Sequence, residues 1–385
     1  MGNDTISVLI VDDSVLMRNL ISKIIEAQEG MTVAGTAMNG SFALHKIPKL
    51  KPDVIILDLE MPEMNGIEFL KERKLRGIDI PVVILSSVAK KGAQITMEAL
   101  ALGASDFLMK PSGPVSEDIA SVGNLLVETV RAYGLLYKNK APQKSVIGNE
   151  ENAGRMRKQK IVQKSIISEE VIPSPSVAGP ELIEKPVARK YTGPLEIIAI
   201  GISTGGPNAL REVFANLDKD LPIPILVVQH MPAGFTEEFA RSLDKICPLE
   251  VSEAKEGDLV RPGRVLIAPG NYHLEVEKKS LATVVHLSSF EPVNGHRPSA
   301  DVLFASVAKN YRNRAMAVIM TGMGKDGAKE IGTIHSQGGL TIGQDEQSCV
   351  VFGMPKVALE NGYIQYVVPL NKMAETINRL AKEYA

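Results

Sequence analysis

Two cysteines, a formal net charge of only −2 and a lack of long apolar runs set the first limits on this 385-residue chain. Cys247 and Cys349 have neither the spacing of a metal site nor the framework of a disulfide scaffold, so both read as ordinary thiols. Acid and base nearly balance, and no Lys/Arg tract is dense enough to form a stripe. Generic attraction to a polyanion is therefore not the obvious function, and no nucleic-acid partner is expected. The apolar runs at 6–11 and 197–202 are far too short to cross a bilayer, which argues against membrane insertion. The start Met1, Gly2, Asn3, Asp4 lacks the basic segment and apolar stretch of an export signal, so the expectation is a soluble, cytoplasmic protein.

What is present is enough chain for two domains with complete cores. Residues 5–137 pass repeatedly from a short β-branched run (7–11, 54–57, 82–85, 107–109) to an apolar-periodic helix (14–27, 66–76, 93–102). That alternation predicts an α/β domain with a parallel sheet covered on both faces and a ligand site beyond the C-terminal strand ends. From 138 to 192 the periodicity fades, and Pro173, Pro175, Pro180 and Pro186 interrupt the second half. This stretch reads as a flexible linker, with a basic patch at 155–164. A second α/β pattern occupies 193–385, with strands near 195–200, 223–228, 315–320 and 340–342 and helices at 207–217, after Asp326 and at 371–384. Turn signals at 257–290 suggest a hairpin inserted into a doubly wound parallel sheet.

Asp12 and Asp13 follow the first strand, and Asp58 follows the run at 54–57. Parallel strand ends converge, so the three carboxylates can surround one hard cation, for which magnesium fits. The cation would neutralise an incoming phosphoryl group and leave Asp58 to attack phosphorus in line. Ser86 and Lys110 end two further strands, where a hydroxyl and an ammonium can receive the new phosphate. Pro111 would stabilise the turn beyond Lys110.

In the second domain, Gly201, Ile202, Ser203, Thr204 and Gly205 form a G-x-S-x-G pattern between a strand and a helix, a junction that can expose a serine beside free backbone N–H groups. His230 follows the strand at 225–228, and Asp326 follows another. Three strand ends thus offer nucleophile, general base and orienting carboxylate, with backbone groups near Ser203 and Met323 as oxyanion donors. Asn271, His273, His296, Arg297, Ser299 and Asp301 belong to shaped loops without metal-ligand spacing. Arg297 has the chemistry to meet a carboxylate or phosphate, and structural support of the loop is an equal reading.

Taken together, Asp12, Asp13, Asp58, Ser86 and Lys110, joined to Gly201 through Pro207, to Gln229, His230, Met231 and Pro232, and to Thr321 through Gly327, resemble the chemotaxis response-regulator protein-glutamate methylesterase and glutamine deamidase family. The resemblance implies nucleophilic Ser203, basic His230, orienting Asp326 and oxyanion support from Met323, with no cofactor for ester hydrolysis. It further implies phosphorylation of Asp58 by a chemotaxis histidine kinase, with Mg2+ at Asp12, Asp13 and Asp58. Methylated glutamyl side chains of chemoreceptors would be the substrate, glutamine side chains a second one, and recruitment to membrane-associated receptor arrays would follow. Ile202 stands where the family often carries alanine, which bears on local packing.

Other classes fit less well. A Rossmann oxidoreductase would want G-x-G-x-x-G, and a P-loop enzyme would want a glycine upstream of Gly324 and Lys325 and a Ser/Thr after them. A signalling adaptor without catalysis needs only the receiver, and an assay of ester hydrolysis separates it from the enzyme.

Overall fold

The computed structural model describes residues 5–86, 90–110, 118–140, 183–184 and 194–385. Pro111, the basic patch at 155–164 and most of the expected linker lie outside the described residues.

The N-terminal unit runs β1 (Ile6–Val11), α1 (Val15–Glu26), β2 (Met31–Ala37), α2 (Gly40–Leu50), β3 (Val54–Asp58), α3 (Gly66–Leu75), β4 (Val82–Ser86), α4 (Lys90–Ala101), β5 (Asp106–Met109) and α5 (Asp118–Lys140). Its five strands are all parallel, in the order β2-β1-β3-β4-β5. β3 and β4 are buried at every position because helices cover both faces, so they read as continuous apolar runs rather than alternating ones. Register then sets the site. Val11 lies level with Leu57, Asp58 with Leu85, and Ser86 with Met109, so Asp12, Asp58, Ser86 and Lys110 all emerge along one sheet edge.

The C-terminal unit contains β6 (Ile183–Glu184), β7 (Ile197–Ile202), α6 (Gly206–Phe214), β8 (Ile225–Gln229), α7 (Phe235–Asp244), β9 (Glu250–Glu253), β10 (Arg264–Ile267), β11 (His273–Lys278), β12 (Thr283–Ser288), α8 (Ala300–Tyr311), β13 (Ala315–Ile319), α9 (Ala328–Ser336), β14 (Leu340–Gln344), α10 (Met354–Glu360), β15 (Tyr366–Val368) and α11 (Leu370–Glu383). The main sheet has the order β6-β15-β14-β13-β7-β8-β10-β9, parallel except for β6, which pairs antiparallel with β15. β7 is central and wholly buried, Ile202 included. At Gly201 a Cβ would lie 2.7 Å from the Ala300 Cβ, so only glycine lets the start of α8 approach the end of β7.

The structure adds detail at two places. Within 257–290 only β11 and β12 form the antiparallel hairpin, whereas β10 enters the main sheet between β8 and β9. Of the described residues within 138–192, Lys138 to Lys140 end α5, and Ile183 and Glu184 pair with the sheet edge.

The two units touch where α4 and β5 face α6 and α7. Phe107 and Phe235 stack with ring centroids 5.0 Å apart, and the Asn208 amide donates to the Ala104 and Ser105 carbonyls at 2.9 Å each. The Gly205 N–H donates to Asp106 Oδ2 at 2.8 Å. Among the described residues no helix is long and apolar enough to cross a membrane.

Candidate active site

In the N-terminal unit, oxygens of Asp12, Asp13 and Asp58 lie within 4.8 Å of one another, with Asp12 and Asp58 buried and Asp13 exposed. Lys110 Nζ is 2.6 Å from Asp58 Oδ2 and 3.0 Å from Asp12 Oδ2. The second contact is an ion pair; among the described residues the buried Asp12 Oδ2 accepts no aligned hydrogen bond. Three carboxylates facing one ammonium leave an excess of negative charge on an all-oxygen donor set, which fits a small divalent cation. Burial pushes the Asp58 carboxyl up, Lys110 pulls it down and Asp12 adds to the rise; the net direction is upward. Burial would lower Lys110, but Asp58 and Asp12 outweigh it and keep the ammonium charged. The Ser86 hydroxyl is 2.7 Å from that of Thr96, which in turn donates to the Gly92 carbonyl.

In the C-terminal unit, β7, β8 and the loop after β13 bring Ser203, His230 and Asp326 into one line. His230 Nδ1 lies 3.0 Å from Ser203 Oγ, and His230 Nε2 lies 2.8 Å from Asp326 Oδ2. A carboxylate only accepts, so Nε2 carries the proton and donates it to Asp326. The Nδ1 lone pair then faces the serine hydroxyl, and a proton can pass from serine to imidazole.

The backbone around Ser203 is fixed from several directions. Its N–H donates to the Thr321 carbonyl at 2.9 Å, and the Gln229 amide donates to the Ser203 and His230 carbonyls at 3.1 and 3.2 Å. Gly322 backs onto it so closely that a Cβ would meet the Ser203 Cβ at 2.7 Å and the Met354 sulfur at 2.4 Å. Met323 follows, half-buried, and among the described residues nothing accepts its N–H.

Asp326 is almost saturated. Oδ1 accepts from Ser299 Oγ at 2.6 Å and Asn294 Nδ2 at 2.8 Å, while Oδ2 accepts the Ala300 N–H at 2.6 Å in addition to His230. The Ala300 N–H belongs to the first turn of α8, where the helix dipole favours an anion. Burial would raise this carboxyl, but the bonds from His230, Ser299 and Asn294 outweigh it and hold it well below the ordinary carboxylate range.

Of the loop residues, His296 stacks on His230 and Ser299 donates to Asp326. Asp301 accepts from Asn294, the residue that also donates to Asp326. Arg297 turns its Nη1 onto the carbonyls of Ser289 and Phe290, so part of its guanidinium holds the loop. His273 is wholly buried against Phe290, and the Asn271 N–H donates to the Arg297 carbonyl; both support the loop from behind. Sequence reasoning missed Asn294 altogether. Its one signal, an Asn-Gly pair before His296, marks a turn and not a partner for Asp326.

Ser203, His230, His296 and Arg297 open onto a cavity of about 320 Å³, whose far wall is Met109 and Leu125 of the N-terminal unit.

Two family models match the chain. The response regulator receiver domain family model matches residues 8–117, and the CheB methylesterase family model matches residues 198–377. A protein-glutamate methylesterase/protein-glutamine glutaminase of Treponema denticola is 55% identical over 99% of this chain and 100% of its own length. Its counterpart in Treponema pallidum is 51% identical over 100% of this chain and 99% of its own, and one from Koribacter versatilis is 44% identical over 97% and 95%. With identities this high along nearly the full length of each relative, the chain belongs to the protein-glutamate methylesterase/protein-glutamine glutaminase family.

Proposed function

We propose that this protein hydrolyses glutamate γ-methyl esters on chemoreceptors, and the side-chain amide of receptor glutamines, through an acyl-enzyme on Ser203 that the N-terminal receiver controls. The observation that carries the reading is the continuous relay from Ser203 Oγ through His230 to Asp326 at 3.0 and 2.8 Å, opening onto the cavity.

His230 Nδ1 takes the hydroxyl proton as Ser203 Oγ attacks the ester carbonyl. Asp326, already charged and fully hydrogen-bonded, stabilises the imidazolium without taking its proton. The oxyanion turns toward the Met323 N–H, which donates to none of the described residues. His230 then hands its proton to the departing methoxide, and methanol leaves. Water enters and attacks the acyl carbonyl as His230 removes its proton; His230 then returns that proton to the departing Ser203 Oγ, which gives glutamate and free Ser203. The amide follows the same course with ammonia as the leaving group.

Residues 5–137 act as the receiver, 138–192 chiefly as a connection, and 193–385 as the hydrolase. Asp12, Asp13 and Asp58 would hold Mg2+, which offsets the charge of an incoming phosphoryl group. Asp58 accepts phosphate from a chemotaxis histidine kinase, Lys110 turns to the phosphate, and Ser86 must leave Thr96 to reach it. Lys110 directly follows the strand that carries Asp106 and Phe107. A pull on Lys110 therefore loosens the contacts that close the far wall of the cleft. A chain with this substrate works in the cytoplasm beside membrane-associated receptor arrays.

The test is methanol release from methylated receptor by phosphorylated protein. Folded Ser203→Ala should lose it by at least about a thousandfold. Near-wild-type release by that variant removes the mechanism, and receptor binding by wild type without any methanol leaves the adaptor reading.

A further inference from the structure

The rings of His230 and His296 lie 3.7 Å apart between centroids and within 10° of parallel. That is closer and flatter than the offset or edge-on contacts at 4.5–7 Å that neutral aromatic pairs prefer, because two electron-rich faces repel when stacked squarely. A cationic ring over a neutral one has the opposite preference. His230 becomes such a cation when it takes the Ser203 proton.

We propose that His296 is a positioning residue whose uncharged π face stabilises the His230 imidazolium as it forms. Two features of the surroundings agree. Both nitrogens of His230 are engaged in the ring plane, by Ser203 and Asp326, which leaves its faces to packing. His296 itself is kept neutral: burial first, and then the neighbouring His230, push its imidazole down to about 4 against the opposing pull of Asp326. None of the described hydrogen bonds uses a His296 ring nitrogen, so the ring's use lies in its face and not its polarity. Contact that strengthens only when the charge appears lowers the barrier without tightening substrate binding.

The inference rests on the Ser203 mechanism, and its experiment separates the two. Full-length protein with Mg2+ and acetyl phosphate is assayed on methylated receptor and on 4-nitrophenyl acetate. His296→Leu should lower kcat about tenfold on both, with KM within about twofold, as expected for the loss of a desolvated cation–π contact. His296→Phe, which restores a π face without a titrating nitrogen, should recover most of that loss. Should the leucine variant fail to fold, as judged by circular dichroism, His296→Gln takes its place. A leucine or glutamine variant as fast as wild type, or a phenylalanine variant as slow as leucine, overturns the proposal, as does a change confined to KM. Wild type that cleaves the small ester but not the receptor refutes the substrate assignment while the His296 contrast is still read on the small ester. Cleavage of neither overturns both.

Discussion

Asp58 and Asp326 are both buried carboxylates at the C-terminal edge of a parallel sheet, yet their surroundings push them in opposite directions. Among the described residues Asp58 has one aligned cation, Lys110, and one backbone donor, Glu60, and it shares its pocket with Asp12. Burial therefore prevails, and lone pairs remain for a metal or an electrophile. Asp326 meets His230, Ser299, Asn294 and the first N–H of α8, so its lone pairs are occupied and its charge is secure. An under-coordinated carboxylate suits attack on phosphorus, and a saturated one suits holding an imidazole in place. The same side chain at the same kind of strand end is thus assigned different chemistry by the count of donors around it.

Removing the saturated member should have the largest effect. Asp326→Ala frees His230 Nε2 and leaves the donors of Ser299 and Asn294 without an acceptor, and kcat for methanol release should fall by about ten-thousandfold. Steady-state assay of folded variant checks it, and a loss below tenfold would mean that His230 does not depend on this partner. On the other side, Asp58→Asn should abolish Mg2+-dependent labelling by a small phosphoryl donor and the stimulation that accompanies it. Label that persists on another residue would move the acceptor site.

Asp106 is a third buried carboxylate and tests whether the two regions are coupled. It is fully buried beneath the cleft and accepts the Gly205 N–H from the turn that carries Ser203. Asp106→Ala should raise the unphosphorylated rate by roughly three- to tenfold, the scale of one ordinary hydrogen bond. An unchanged rate would remove this contact from the control of the cleft.

The smallest effect is one of pH. Burial, partly offset by the Gly205 and Phe107 N–H groups and Tyr133, raises Asp106 from the ordinary value of 3.8 to about 6. The folded form therefore holds a proton that the unfolded chain has released. The contribution of this group to stability is full below 3.8 and is lost as pH rises through about 6. Between pH 5 and 7 the melting temperature of wild type should fall relative to Asp106→Asn. Parallel curves would show that the carboxyl is not the titrating group.

Much of this was legible before the fold was known, for a local reason. Asp12, Asp58, Ser86, Ser203 and His230 each terminate a buried strand whose β-branched run announces itself, and parallel strands deliver their ends to one edge. The strands that escaped notice lack that signature. β2 passes through Gly35 with little burial, and β9 and β10 have only four residues each. Ser299 precedes α8 as a capping serine would, yet its hydroxyl goes to Asp326 instead, and Asp326 takes the helix N–H. Asn294 and Asp106 could not be read at all. Their meaning lies in contacts with Asp326, 32 positions away, and with Gly205, 99 positions away.

If phosphate on Asp58 uncovers the Ser203 relay, the initial rate of methanol release from methylated receptor, measured on full-length protein before and after addition of Mg2+ and acetyl phosphate, must respond to the donor. A low rate that rises several-fold in wild type, stays low in Asp58→Asn and is absent from Ser203→Ala is the result expected. A rate indifferent to the phosphoryl donor, while Asp58 is demonstrably phosphorylated, would contradict it.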